Sequence, residues 1–197
     1  MNYPLQFRAK IVALAPQIHV TDATGASVCY VKQKLFKFKE QIEIFRDPSR
    51  KELVAKIGAD RVIDWSARYS FSAADGSLLG AVGRKGMRSI WKASYEAFTP
   101  QATTPTFHLQ EENVWAKVFD SLLGSIPVLG ILGGYFFHPK YLATRAADNS
   151  PAMRLTKQPA FFEGVFTLEK LSELSAEEEL NLLLAFLMLN LLERERG

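Results

Sequence analysis

Leu180 to Leu192 is apolar on every face that a helix could present, and a helix without a polar stripe must be covered all round. Its two polar members, Asn181 and Asn190, lie nine positions apart, which at about 100° per residue sets them on opposite sides. At about 1.5 Å per residue the stretch reaches about 20 Å, short of a hydrocarbon core about 30 Å thick. Burial inside protein is therefore a better reading than a membrane span. Ser175 and Glu178 have the spacing of a capping box at its start, and Glu193, Arg194, Glu195 and Arg196 return the chain to solvent.

What could cover such a helix is legible upstream. Residues 16 to 170 read mainly as short strands, because runs rich in Val, Ile, Tyr, Phe and Trp alternate with polar residues and stop at turn residues. A loose hairpin repeat emerges. His19 to Gly25 leads into Val28 to Lys32, Ile42 to Asp47 into Leu53 to Ile57, and Tyr69 to Phe71 through Asp75-Gly76 into Leu78 to Lys85. A fourth copy runs Tyr141 to Lys157 and turns near Asp148-Asn149. Repeated hairpins imply an antiparallel meander, which alone suits a sandwich or a barrel. The terminal helix chooses between them: an apolar cylinder about 10 Å wide needs a closed wall, and eight strands leave room only for side chains. The expected fold is mainly β, a closed antiparallel barrel of about twelve strands around a buried C-terminal hydrophobic helix. About thirteen candidate strands lie between Leu5 and Leu168.

One region departs from the strand pattern. Val114, Trp115, Val118, Phe119, Leu122 and Leu123 recur at helical spacing, with Gly124 placed to end the helix. Ser125 to Phe137 is uncharged but broken by Pro127, Gly130, Gly133 and Gly134, and reads as an apolar loop or short strand over one barrel end.

With 197 residues and no evident linker, a single domain over 1–197 is expected. Met1 to Val20 carries Arg8 and Lys10 within its apolar pattern and does not read as a signal peptide, so the expected location is cytoplasmic, with peripheral attachment at the inner membrane surface as a second possibility. Cys29 is the lone cysteine, which excludes an intrachain disulfide and a cysteine metal cluster. The net charge of +3 conceals a division. Residues 1 to 110 hold 16 Lys and Arg against 9 Asp and Glu, while residues 111 to 197 hold 8 against 12. Such a basic half suits an anionic surface and falls short of the dense stripe of a nucleic-acid binder, so no nucleic-acid partner is expected.

The order of Tyr30-Val31-Lys32-Gln33-Lys34, Asp75-Gly76, Asn113-Val114-Trp115, Gly134-Tyr135, Pro139-Lys140-Tyr141, Lys157-Gln158-Pro159 with Phe161-Phe162, and the closing Glu193 to Gly197 resembles bacterial LURF-one-related proteins. These belong to the tubby C-terminal-like superfamily, together with the phospholipid scramblases. The resemblance spans nearly the whole chain and lies in the order of the motifs. It implies a twelve-stranded barrel threaded by the last helix and an exterior able to hold phosphoinositide head groups. It carries over no catalytic set. The chain departs from these relatives at Arg50, where the second hairpin turn would usually have Gly, and no calcium segment precedes the helix: Glu163, Glu169 and Glu173 are too widely spaced for a compact oxygen-ligand loop.

Catalytic and metal chemistry find little support in the residues. His19, His108 and His138 lack the spacing of a zinc site, and Gly80, Gly83 and Gly86 around Arg84 and Lys85 do not make a phosphate-binding turn before a helix. Glu111-Glu112 reads as favourable charge at the start of a helix. No metal or cofactor is expected. Two basic clusters remain. Arg84, Lys85, Arg88 and Lys92 are the lipid head-group candidates; Lys32, Lys34, Lys37 and Lys39 form a secondary cluster, with a bulge or turn expected near Leu35-Phe36. Trp65 and Trp91, beside charged neighbours, read as core residues before interface anchors. The expected function is a non-enzymatic module docking on anionic phospholipid or phosphoinositide head groups. The alternative is a soluble protein-binding or scaffold domain with Leu122 to Phe137 as its partner surface, and a lesser one is scramblase-like lipid transport.

Overall fold

The alternating segments form twelve strands in the computed structural model, which describes residues 1–10, 17–32, 42–59, 68–84, 94–112, 140–160 and 163–194. They are β1 (Leu5–Lys10), β2 (Gln17–Thr21), β3 (Ser27–Lys32), β4 (Ile42–Phe45), β5 (Leu53–Ala59) and β6 (Arg68–Ser72). The second half holds β7 (Leu78–Arg84), β8 (Ser94–Phe98), β9 (Phe107–Glu111), β10 (Lys140–Arg145), β11 (Pro151–Gln158) and β12 (Glu163–Lys170). One helix follows, α1 (Ala176–Arg194). Each strand pairs antiparallel with its neighbours in the chain, and β12 returns to β1 to close the barrel, from Leu5 opposite Leu168 to Lys10 opposite Glu163. The described residues hold the twelve strands expected, with the remaining stretches of the about thirteen candidates lying outside them. The expected helix around Val114 to Leu123 and the 125–137 stretch lie outside the described residues.

Period-two alternation assigns each residue to one side of the wall. In β1, Leu5, Phe7 and Ala9 are buried while Gln6, Arg8 and Lys10 are exposed. Ile18 and Val20 on β2, Ile42 and Ile44 on β4, and Phe107 and Leu109 on β9 continue the inner lining. The four hairpins read from the sequence are present, and in each the register shifts beside the turn, at Val20/Thr21, Ile44/Phe45, Phe71/Ser72 and Ala143/Thr144. An extra residue at that point bends one strand and sharpens its twist, which helps a sheet curl closed.

The turns share a device as well. The Asp22 carboxylate accepts from the Thr24 backbone N–H at 2.9 Å and hydroxyl at 2.6 Å. Asp47 accepts from the Ser49 N–H at 2.7 Å. Asp75 and Asp148 accept from the N–H and hydroxyl of Ser77 and Ser150, at 2.9 and 2.7 Å in each case. A carboxylate that bonds two residues ahead mimics a backbone turn and halts the strand. In the first two turns the next residue is left-handed: Gly25 at φ 84° and Arg50 at φ 56°. Arg50 thus occupies a glycine position at a steric cost.

From Asn181 to Leu191 every residue of α1 is buried, which only a wall on all sides provides, so α1 runs inside the barrel. Each leucine moved from water into this core contributes about 1.5–3 kcal/mol. The capping box forms as its spacing requires: the Ser175 hydroxyl accepts from the Glu178 N–H at 3.2 Å, and the Glu178 carboxylate from the Ser175 N–H at 2.9 Å. Two strand ends hold this first turn. Arg145, the last residue of β10, reaches Glu178 at 2.6 Å and the Glu173 carbonyl at 2.9 Å. Lys170, the last residue of β12, reaches Glu179 at 2.8 Å.

Inside the barrel the opposed asparagines differ. Asn181 donates from Nδ2 to the carbonyls of Phe98 at 2.8 Å and Leu79 at 3.3 Å. Gly80 makes this possible: at φ 128° it approaches the helix so closely that a Cβ there would collide with Asn181 Nδ2 and the Phe98 carbonyl. The glycines near Arg84 therefore include one that seats a helix. Asn190 has no hydrogen-bond partner for its Oδ1 among the described residues.

Two substitutions test this architecture. Leu187→Asp would bury a charge without a partner and is expected to abolish cooperative unfolding in circular dichroism. Arg50→Gly relieves the left-handed strain against the extra backbone freedom of glycine, and is expected to raise stability by up to about 1 kcal/mol in urea titrations.

Candidate functional site

Alternating strand direction gives the barrel two unlike ends. The turns built on Asp22, Asp47, Asp75 and Asp148 share one end with the first turn of α1, where Glu177, Glu178 and Glu179 stand together. At the opposite end β1 finishes with Lys10, β3 with Lys32 and β7 with Arg84, and α1 also finishes there. Because α1 fills the barrel axis, a ligand has the outer wall and the ends left to meet.

On the outer wall the register lines up a basic patch. Lys10 pairs with Gln17 and Gln17 with Lys32, one row across β1, β2 and β3. The next row holds Arg8, His19 and Tyr30. Arg8, Lys10 and Lys32 are exposed. Arg8 and Lys32 form no ion pair among the described residues. The rows are tied together, since the Tyr30 hydroxyl donates to Gln17 Oε1 at 3.1 Å and the His19 ring meets Tyr30 edge-on with centroids 6.1 Å apart. Lys32 was legible in the sequence as part of a lysine run; its companions Lys10 and Arg8 were not, because they come from a strand two places away.

The basic residues singled out earlier are thus only partly placed. Arg84 stands on the inward side of β7, sharing that face with Val82 and lying opposite Tyr95. Glu111 is on the inward side at the same end, opposite buried Tyr141. Lys85, Arg88 and Lys92, and likewise Lys34, Lys37 and Lys39 with the Leu35-Phe36 bend, lie outside the described residues, as do Leu122 to Phe137, Trp65, Trp91 and His138. Glu111 and Glu112 prove to have separate surroundings: Glu111 ends β9, and Glu112 receives Arg154 at 3.0 Å.

Several other titratable groups among the described residues have defined surroundings. Burial pushes the Cys29 thiol up to about 12, with Arg46 pulling weakly the other way, so it is no nucleophile at neutral pH. Burial, then the charge and hydrogen bond of Glu179, push the Tyr3 phenol well above its ordinary range. His108 Nδ1 lies 3.7 Å from Glu96 on the outer wall. Among the described residues no three His, Cys, Asp or Glu side chains converge as a metal site, and no helix is long and apolar enough to cross a membrane. No protein-family model, curated protein or solved structure matches the chain.

The acidic end has its own electrostatics. Hydrogen bonds from Thr24, Ser49, Ser77 and Ser150 hold the carboxyls of Asp22, Asp47, Asp75 and Asp148 below their ordinary values. Burial alone would raise Glu178, but the bonds and charge of Arg145, with the Ser175 cap, bring it lower. Carboxyls with depressed folded-state values stabilise the fold above their unfolded-state values and lose that contribution as pH falls through the folded ones. His19 is also depressed, burial being the largest cause, and so resists the charge that the unfolded chain accepts. Urea midpoints measured against pH are expected to dip slightly below about pH 6.5 and drop steeply below about pH 4, with the shallow dip absent in His19→Gln.

Proposed function

We propose that the barrel is a non-enzymatic module that docks reversibly on anionic phospholipid or phosphoinositide head groups, at the cytoplasmic surface of a membrane. The observation that carries this reading is the row Lys10, Gln17 and Lys32 with Arg8 beside it, on the outer wall at the end away from the acidic turns. Cations on a rigid wall attract phosphate oxygens while Gln17 offers hydrogen bonds, and the acidic end orients the barrel by being repelled from the same surface. In the sequence Lys32 is followed by Lys34, Lys37 and Lys39, and Arg84 by Lys85, Arg88 and Lys92. Lys32 and Arg84 themselves end β3 and β7 at the same end of the barrel. The architecture is also the one implied by the resemblance to LURF-one-related proteins, which supports placing the chain among tubby-like barrels.

Co-sedimentation with vesicles tests this. Pelleting is expected with vesicles containing phosphatidylserine, absent with phosphatidylcholine alone, and lost at high salt. At about 1 kcal/mol for each cation near an anionic surface, the combined change of Arg8, Lys10 and Lys32 to Ser is expected to weaken binding roughly a hundredfold. The parallel change of Arg84, Lys85, Arg88 and Lys92 to Ser measures the share of the other cluster. Equal loss from both indicates diffuse charge. No pelleting of the unaltered protein at low salt overturns lipid docking and favours a protein-binding scaffold.

A further inference from the structure

We propose that His19 makes the Arg8, Lys10 and Lys32 surface acid-sensitive, so that anionic head groups are held more tightly as pH falls toward the endpoint of the imidazole titration. The inference rests on the docking reading above and concerns its regulation. His19 occupies the centre of the second row, between Arg8 on β1 and Tyr30 on β3, with the Lys10, Gln17 and Lys32 row directly above it. A charge acquired there joins three exposed cations on the same face.

The hydrogen bonds around the ring specify where the proton goes. His19 Nε2 lies 2.9 Å from Ser27 Oγ, and the Ser27 hydroxyl donates to the Arg46 carbonyl at 2.8 Å. With its proton committed to that carbonyl, Ser27 Oγ accepts from Nε2–H. Nδ1 is then the nitrogen that takes up the proton, and the ring keeps its place while it does so. Neighbouring groups bear on the titration from each side. Arg8 faces it from β1 and opposes protonation, Asp47 from the turn between β4 and β5 favours it, and the Tyr30 ring lies T-shaped to it from β3. One row further stand Lys10, whose register partner on β12 is Glu163, and Lys32; Glu43 is exposed on β4. Burial, the largest influence, keeps the imidazole below its ordinary value, so it is neutral at pH 7.

An anion bound across Arg8 and the lysines reverses the balance. It offsets the repulsion between Arg8 and a protonated His19, so anion binding and protonation promote one another by the same factor. One added cation is expected to tighten binding to an anionic surface about fivefold. The effect separates the surface into two states within the range where histidine titrates.

The test uses the full chain and two readouts. Co-sedimentation with phosphatidylserine vesicles is compared near pH 7.5 and near pH 5.5, for the unaltered protein and His19→Gln. Proton NMR follows the His19 ring, assigned by its loss in His19→Gln, through a titration with and without inorganic pyrophosphate. The expected result is about fivefold tighter pelleting at the lower pH, a pH dependence that His19→Gln removes, together with a His19 pKa raised by pyrophosphate. If vesicles bind and the two proteins share one pH profile, the role of His19 is overturned and docking stands. If vesicles fail to bind while pyrophosphate still raises the His19 pKa, lipid docking is overturned and the proton-linked anion site stands. Failure of both readouts overturns both.

Discussion

The constraint on which everything else depends is the absence of a polar face on α1. A helix buried from Asn181 to Leu191 on every side has no stable place at a sheet surface or a bundle edge, where one face meets water. It demands a closed wall of a particular circumference, and twelve strands supply it. Closure also removes the sheet edges that an open meander would expose. Helix and wall therefore solve each other's problem, the wall having no core without the helix and the helix no cover without the wall.

An apolar cylinder inside an apolar tube lacks a reason to stop at one rotation or depth, so polar contacts must provide it. Asn181 does so by bonding the carbonyls of Leu79 and Phe98, and Gly80 clears the space. Arg145 and Lys170 fix the depth by gripping Glu178 and Glu179 at the mouth. These few groups convert a slippery packing problem into one register, the role for which buried polar residues are best attested. Their placement also gathers acid at one end and leaves the other for basic residues.

Much of this was legible in the residues, and the reasons for the exceptions are physical. The hairpins were readable because alternation and turn chemistry are local: Asp-x-Ser or Asp-x-Thr stops a strand wherever it occurs. The capping box was readable for the same reason. The basic patch was not, because the meeting of Lys10, Gln17 and Lys32 depends on the register of three strands, and a bulge at Val20/Thr21 alters it. Arg84 belonged to a visible run of cations, yet its inward side follows from pairing with β8, which the run itself does not encode. The glycines around Arg84 and Lys85 were set aside as no phosphate-binding turn, but the role of Gly80 stayed hidden because its partner, Asn181, lies 101 residues further along the chain.

The position of α1 after the last strand carries a consequence for biosynthesis. A ribosome delivers all twelve strands before it delivers the segment around which they close, so the nascent sheet has inner faces ready and nothing to pack on. Its hairpins can form early, since their turns are short and self-contained, but the seam between β1 and β12 spans most of the chain and is reinforced only when the final helix arrives. The barrel thus closes around its core only once α1 has followed the strands out, and in that interval its exposed lining is the surface that chaperones would have to shield.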